Sequence, residues 1–345
     1  MDNVSDSEFS SSADELLDTE EGQTRQLEIP EALAGERLDK VLAQLMPEFS
    51  RNRIQGWIEA GYVKSHGQIL KVRHRSQAGE LISVDIQPEP EEMAYLPEDI
   101  PLEIVFEDDD LLIINKPAGM VVHPAAGNWQ GTLLNALLHH YPKIGEVPRC
   151  GIVHRLDKET SGLLMVAKTI EAQLDLVRQL ESRRVVRRYF ALAWGLVKPQ
   201  TIDAPIGRDP KDRLKMAIVR GQQGKVAITH IKRLATVELA DKSITAIQVQ
   251  LETGRTHQIR VHLESVGHPL LGDLVYRKRV PAQAAQLEFA RGGQALHALV
   301  LGILHPRTQE TMLWQAPLPP DMTDLVQQLG FSSEVAQVDL ESLDV

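Results

Sequence analysis

The sequence predicts an α+β protein in which a small αβ module precedes a large, mostly antiparallel mixed sheet. Three observations carry that reading. From residue 102 to about 330, strand-like and helix-period segments follow one another with little strict strand–helix–strand alternation, which favours antiparallel neighbours. Residues 26–86 hold two short amphipathic helical patterns followed by short strands, enough for a unit of their own. Between the two, "QPEPEEMAYLPEDIP" (87–101) carries four prolines and five acids, a mixture that reads as a linker.

Each element has a local reason. Residues 1–25 are rich in Ser, Asp and Glu and are expected to form a disordered acidic tail. "ERLDKVLAQLMP" puts Leu38, Val41, Leu42 and Leu45 on one helix face. Ser50 is the candidate cap of a second helix, "RNRIQGWIEAG", which Gly61 closes. Residues 62–64 and 81–86 read as strands, with Gly67 and Gly79 at the turns. "EIVFEDDDLLIINKPAGMVVHP" reads as three strands separated by an acidic turn and a Pro-Ala-Gly turn. "GTLLNALLHHY" is a helix capped by Thr132, and "GLLMVAKT" an apolar strand. "TIEAQLDLVRQLESRR" is a helix with Leu174, Val177 and Leu180 as its apolar stripe. "VVRRYFALAWG" and "SITAIQVQLETG" are strands, and "THQIRVHLESVGHP" is a helix with Ile259, Leu263 and Val266 on one face. Residues 331–345 form a second acidic tail.

Charge is distributed unevenly. The first 25 residues hold eight acids against Arg25, and residues 332–345 hold four acids and no base. The two ends thus account for the whole net charge of −11, and residues 26–331 are formally neutral. The low pI therefore does not exclude a nucleic-acid partner. Within 51–75, six bases (Arg51, Arg53, Lys64, Lys71, Arg73, Arg75) face Glu59 alone, the footprint of phosphate contact on a small module. No apolar run is long enough to span a bilayer, and no basic start leads into an apolar block. A single cysteine, Cys150, rules out an internal disulfide and agrees with a cytoplasmic location.

Candidate chemistry begins at "HRLDKETSGLL" (154–164), where Asp157 stands between a strand-like stretch and an apolar run. By residue type alone, an aspartate among bases is a turn cap or an exposed ion pair. Here it falls at a strand end, where loops carry function, and it needs a nearby cation to stay ionised when water is excluded. In "GRTHQIRVH" (254–262), Arg260 lies off the Ile259 face and would supply that cation; the plainer reading is a solvated helix arginine. In "RRVVRRYFALA" (183–193), alternation puts Arg187 and Tyr189 on one side, so a tyrosine stacks a base beside arginines that hold phosphates, or else fills the core. Dinucleotide and phosphate-loop glycine motifs, the zinc-protease HExxH and the GxSxG elbow are all absent from the sequence, so neither cofactor nor metal is implied.

Together these blocks resemble the RluA-type pseudouridine synthases. "INKPAGMVVHP" (114–124), "HRLDKETSGL", "RRYFALAWG" (187–195), "GRTHQIRVH", "GHPLLGD" (267–273) and "ALHALVLGILHP" (295–306) match the family's blocks in order, over roughly 100–325. Residues 37–86 resemble an S4-type RNA-binding domain through Ser50, Arg51, Ile58, Gly61 and Val63. The resemblance implies the pseudouridine synthase fold over 102–330 and isomerisation of uridine to pseudouridine. It further implies a 23S rRNA or large-subunit precursor substrate, with the target in a stem-loop near the decoding interface; a monomer is the default expectation, and the missing motifs imply no cofactor. It implies that Asp157 is the catalytic residue, Tyr189 stacks on the base and Arg260 pairs with Asp157. Arg155 would fill the gap left by the flipped nucleotide, and Leu296 would line the uracil pocket. Arg51, Arg53, Lys64, Lys71 and Arg73 are the expected RNA contacts of the module. Two departures stand out: Ser65-His66 in the S4 stretch, and Arg277 rather than Gly after Tyr276.

The chemistry fits one carboxylate. Isomerisation breaks the C1′–N1 bond, turns the uracil and joins C5 to C1′, after the base has left its stack at a cost of a few kcal/mol. A single carboxylate acts at the sugar as nucleophile or base, whereas hydrolytic glycosidases generally use two because water is activated as well. A dry pocket is required, and Leu163, Leu164 and Leu296 are its expected apolar flank. Two other classes fit parts of the sequence: a non-catalytic RNA-binding assembly factor, and a nucleoside hydrolase releasing free base.

Overall fold

Thr24 opens the first strand of the computed structural model, which describes residues 24–87, 93–125, 127–221, 223–239, 242–278, 280 and 292–337. The chain divides into two units, Met1–Glu89 and Pro90–Val345.

In the first unit, β1 (Thr24–Glu28) is followed by α1 (Leu38–Leu45), α2 (Arg51–Glu59), β2 (Val63–Ser65), β3 (Gln68–Ile69) and β4 (Leu81–Asp85). The strands form one antiparallel sheet in the order β1-β4-β2-β3. Leu38, Val41 and Leu42 meet Ile54, Trp57 and Ile58 of α2 and Val63, Ile82 and Val84 of the sheet. The Ser50 side chain accepts the Arg53 N–H at 3.3 Å and starts α2 as its sequence predicts. Gly61 follows the helix at φ +86°, a conformation that favours glycine. A charged group lies inside this unit. The Asp39 carboxylate, sealed from solvent, accepts from Arg37, Arg51 and Gln55. Burial alone would raise its pKa, but the bonds from Arg51, Gln55 and Arg37 outweigh that and hold it at about 2.

The last two residues of the expected tail are in a strand. Thr24 and Arg25 belong to β1: Thr24 Oγ1 donates to Asp85 at 2.8 Å and Arg25 pairs with Glu48. The rest of that segment, 1–23, lies outside the described residues.

The second unit contains β5 (Ile104–Glu107), β6 (Leu111–Lys116), α3 (Leu133–His140), β7 (Ser161–Ala167), α4 (Ile170–Glu181) and β8 (Val186–Trp194). It continues with β9 (Gln200–Asp203), β10 (Ile206–Arg208), β11 (Met216–Ile218), β12 (Ile228–Leu239) and β13 (Lys242–Leu251). Then come α5 (Gln258–Ser265), β14 (Leu296–Leu304), β15 (Thr311–Gln315) and α6 (Pro320–Gln328). Among the described residues, nine strands form one sheet in the order β5-β6-β7-β14-β8-β13-β12-β9, with β15 paired to β14. The pairing is antiparallel except where β14 runs parallel to β7. One face packs α3 and α5 through Leu134, Leu137, Ile259 and Leu263 against Tyr189, Ala191, Val249 and Leu296. At the β7–β14 seam, Gly162 (φ +110°) lies so close that a Cβ there would come within 2.3 Å of the Ala298 carbonyl oxygen.

Four expectations change. Residues 120–124 form no third strand; after the 117–120 turn Val121 makes a lone bridge with Thr132. On α4 the buried face is Ala172, Leu176 and Gln179, because Gln179 bonds both backbone groups of Leu304 while Leu174 is 53% exposed. Part of the expected linker is packed: the Asn135 side-chain amide donates to the carbonyls of Ala94 and Leu96, and Glu98 accepts the Gly131 N–H. The fold also runs past 330, since Phe331 and Ala336 are buried against Met322, Leu325 and Val326; residues 338–345 lie outside the described residues.

Candidate active site

Asp157 is held in a loop clamped from three sides. Before it, Ile152 bridges Val166 and Gly151 (φ +70°) passes so close to Ala167 that no Cβ would fit. After it, the Asp157 carbonyl accepts the Thr160 N–H at 3.1 Å, closing a turn. Beneath it, Lys116, fully buried at the end of β6, donates to the carbonyls of Pro117, Met120 and Lys158. One ammonium thus ties the Pro-Ala-Gly turn to the aspartate loop. Gln294 adds a bond to Thr160 at 2.9 Å, and Ser161 bonds His297 at 2.9 Å across the β7–β14 seam. His154 has a structural part here. Its Nε2 accepts the Met165 N–H, and burial, with nearby Arg187, keeps its pKa down at about 3, so it stays neutral.

The sequence-predicted cation arrives from α5. Arg260 Nη1 donates to Asp157 Oδ2 at 3.1 Å. Its other edge is taken by Asp273, which accepts from Nε at 2.7 Å and from Nη2 at 3.0 Å. Asp273 is in turn fixed by the N–H groups of Val275 and Tyr276. Burial works against the Arg260 charge, but Asp273 and then Asp157 overcome it and raise its pKa. Arg260 also lies over the Tyr276 ring at 4.9 Å. Its helix start is set by Gln258, whose side chain accepts from Thr253 Oγ1 and the Arg255 N–H and donates to Ile228 and Thr229.

His257 completes the carboxylate's surroundings, with Nε2 3.9 Å from Asp157 Oδ1. The residue is left-handed at φ 56°, where α5 begins. Burial lowers its pKa despite the pull of Asp157, so the ring is neutral. The Tyr276 hydroxyl accepts the Met216 N–H and lies 2.9 Å from His257 Nδ1. The two groups share one hydrogen bond, and the other ring nitrogen, Nε2, is the one that faces Asp157.

These groups open onto a cleft of about 580 Å3. Asp157, Arg155, Tyr189, Arg260 and Leu296, the five residues expected in the site, all line it. Tyr189 and Leu296 are wall residues, 6% and 3% exposed, while Arg155 is exposed at the mouth. The apolar flank differs from expectation. Leu163 and Leu164 point to opposite faces of β7 into two cores, and Leu156 lines the cleft instead. Asp273, Tyr276, His257 and Lys116 were not singled out for roles from the sequence. Asp273 ends "GHPLLGD" and His257 lies inside "GRTHQIRVH", so the blocks held them, but nothing in the chain marks their partners.

The expected RNA contacts of the first unit divide into two sets. Arg51 is spent on Asp39 at 2.6 Å, and Lys64 pairs with Asp85 at 3.3 Å. Arg53 stacks on Phe49 and Trp57 at 4.9 and 5.2 Å and donates to the Gln87 carbonyl. Lys71 and Arg73 are exposed on the loop before β4. Asp108, Asp110 and His305 also cluster in the second unit, but Arg307 holds Asp110 through two bonds of 2.6 and 2.7 Å and His305 bonds Asp108.

Residues 110–265 match the family described as RNA pseudouridylate synthase, and residues 36–82 match the S4 domain. This chain belongs to the RNA pseudouridylate synthase family, in a form that carries an S4 domain. Among curated relatives, Ribosomal large subunit pseudouridine synthase D of Nitrosomonas europaea is 51% identical over 310 residues, covering 89% of this chain and 88% of its own. The protein of the same name from Pasteurella multocida is 46% identical over 328 residues, covering 92% of this chain and 98% of its own. Among solved structures, Human RNA Pseudouridylate Synthase Domain Containing 1 is 27% identical with a TM-score of 0.51, over 71% of this chain and 97% of that one.

Proposed function

We propose that this chain isomerises uridine to pseudouridine in the RNA of the large ribosomal subunit, 23S rRNA, with Asp157 as its catalytic residue. The observation that carries the reading is the Asp157–Arg260–Asp273 array at the floor of a cleft walled by Tyr189 and Leu296. The relatives' shared name supplies the substrate class.

The groups divide the work as follows. The uridine leaves its stack, and exposed Arg155 enters the space it vacates. Tyr189 and Leu296 receive the base and exclude water, so that cleavage of the C1′–N1 bond does not end as hydrolysis. Arg260 places a cation against the Asp157 carboxylate as that group acts at the ribose, by attack on C1′ or removal of a ribose proton. The uracil turns, C5 bonds to C1′, the C5 proton leaves to solvent and N1 gains one. The reaction is redox-neutral and needs no co-reactant. The neutral His257 keeps its Nε2 3.9 Å from Asp157 Oδ1, at the edge of the carboxylate's surroundings. In the first unit, Lys71 and Arg73 carry the phosphate contacts, while Arg51, Arg53 and Lys64 brace the fold. The target is a stem-loop near the decoding interface, and the protein acts as a cytoplasmic monomer without cofactor.

The test uses 23S rRNA and precursor large subunits labelled with tritium at uracil C5. Release of tritium to water by the purified chain, absent in Asp157→Asn while RNA binding persists, is the expected result. An active Asp157→Asn variant removes Asp157 from the mechanism. Free uracil in the product replaces the isomerase by a hydrolase.

A further inference from the structure

Arg187 on β8 is 6% exposed, yet it lines the cleft two residues before Tyr189 on the same side of the strand. Its Nη2 donates to the Glu252 carbonyl at 3.0 Å, while Nε has no hydrogen-bond partner among the described residues. Among the described residues it has no carboxylate partner: the Glu252 side chain is taken by Arg183 and His230. The titratable groups that act on it, His154, Tyr189 and Arg255, are neutral or cationic, and of the acids lining the cleft none pairs with it. A buried guanidinium without an anion is unfavourable and is retained where an anion arrives from outside. Gly254 keeps the approach open, since a Cβ there would come within 2.9 Å of Nη1. The contrast with Arg260, buried in the same wall and held by two carboxylates, is direct.

We propose that Arg187 is the phosphate-recognition residue of the cleft, binding a phosphodiester that flanks the uridine turned into the site. This rests on the isomerase reading for the identity of the ligand. Uracil is neutral and cannot compensate the guanidinium, whereas each nucleotide brings one anion. A planar guanidinium suits two phosphate oxygens at once. With Tyr189 beside it on β8, base and phosphate of one nucleotide are read from a single rigid strand.

The test compares binding of uridine, uridine 3′-monophosphate and uridine 5′-monophosphate to the full chain by calorimetry or NMR titration. The wild type is expected to prefer one monophosphate over uridine by roughly 10- to 100-fold, the worth of one charge-assisted contact. Arg187→Gln should abolish that preference without weakening uridine itself, Arg187→Lys should keep part of it, and Gly254→Ala should reduce it by crowding Nη1. If Arg187→Gln fails to fold, Gly254→Ala and Arg187→Lys decide. An unchanged preference in the variants, or no preference in the wild type, overturns the proposal. In tritium release from rRNA, Arg187→Gln should raise KM more than it lowers kcat. Absence of release by the wild type with the monophosphate preference intact would remove the isomerase reading and leave the phosphate site standing.

Discussion

Asp273→Asn is expected to lose turnover while keeping its RNA. Asp273 touches no substrate in this arrangement; it grips Arg260 through two bonds, at 2.7 Å to Nε and 3.0 Å to Nη2. Asparagine keeps one acceptor oxygen, which remains engaged by Nη2 and the N–H groups of Val275 and Tyr276. Its amide nitrogen then faces the Nε–H, donor against donor. One charge-assisted bond is lost, worth about 1.5–3 kcal/mol. Breaking a buried ion pair outright costs about 3–5 kcal/mol. Arg260 still holds Asp157 at 3.1 Å, so the lower part of that range applies, about 3 kcal/mol. At about 2–4 °C per kcal/mol for a unit of this size, Tm should fall by roughly 6–12 °C. A guanidinium freed to move by about 1 Å misplaces Asp157 and lowers kcat about 100-fold. Single-turnover tritium release measures the rate, filter binding the affinity and a thermal melt the stability. A folded Asp273→Asn enzyme with kcat within threefold of wild type would refute the idea that Asp273 positions the site through Arg260.

Four further outcomes follow from the same structure. Gly162→Ala places a Cβ about 2.3 Å from the Ala298 carbonyl at a φ of +110°, so the β7–β14 seam must part; the variant should melt well below wild type or be recovered insoluble. Asp39 is held at about 2, below its ordinary 3.8, so its contribution to stability is present above pH 3.8 and is lost as pH falls through about 2. Asp39→Asn should therefore destabilise the protein at neutral pH and flatten the fall in stability between pH 4 and 2, as followed by circular dichroism. Replacing Lys71 and Arg73 together by alanine should weaken rRNA binding and lower its salt dependence by about 1.8 in slope, with an unchanged melt. Arg51→Ala should instead lower the melt, by orphaning part of Asp39.

Much of this was legible along the chain because its causes are local. Ser50 and Thr132 cap the helices that they precede, and the β8 alternation puts Arg187 and Tyr189 on one wall. Asp157 and Arg260 were matched across 103 residues because the family's blocks name both, not because periodicity joins them. What stayed hidden depends on distant partners. β1 is a polar edge strand with exposed alternate residues, so only its pairing with β4 reveals it. The face of α4 was misread because a glutamine, bonded to Leu304, outcompetes a leucine for the interior. Lys116 reads as a surface lysine until the three carbonyls it gathers are in place.

The sheet order sets a timetable for synthesis. β14, at residues 296–304, stands between β7 and β8, which leave the ribosome more than a hundred residues earlier. Until β14 emerges, the two halves of the sheet each present a bare edge, and neither Leu296 nor the His297–Ser161 seam exists. The active-site cleft is thus completed by one late insertion of a central strand. Such non-local closure folds slowly and leaves open edges that invite association with other chains. A nascent chain halted before residue 296 should leave the Asp157 loop with β7 and Tyr189 with β8 on separate, unjoined sheets, so catalytic competence waits on the emergence of β14.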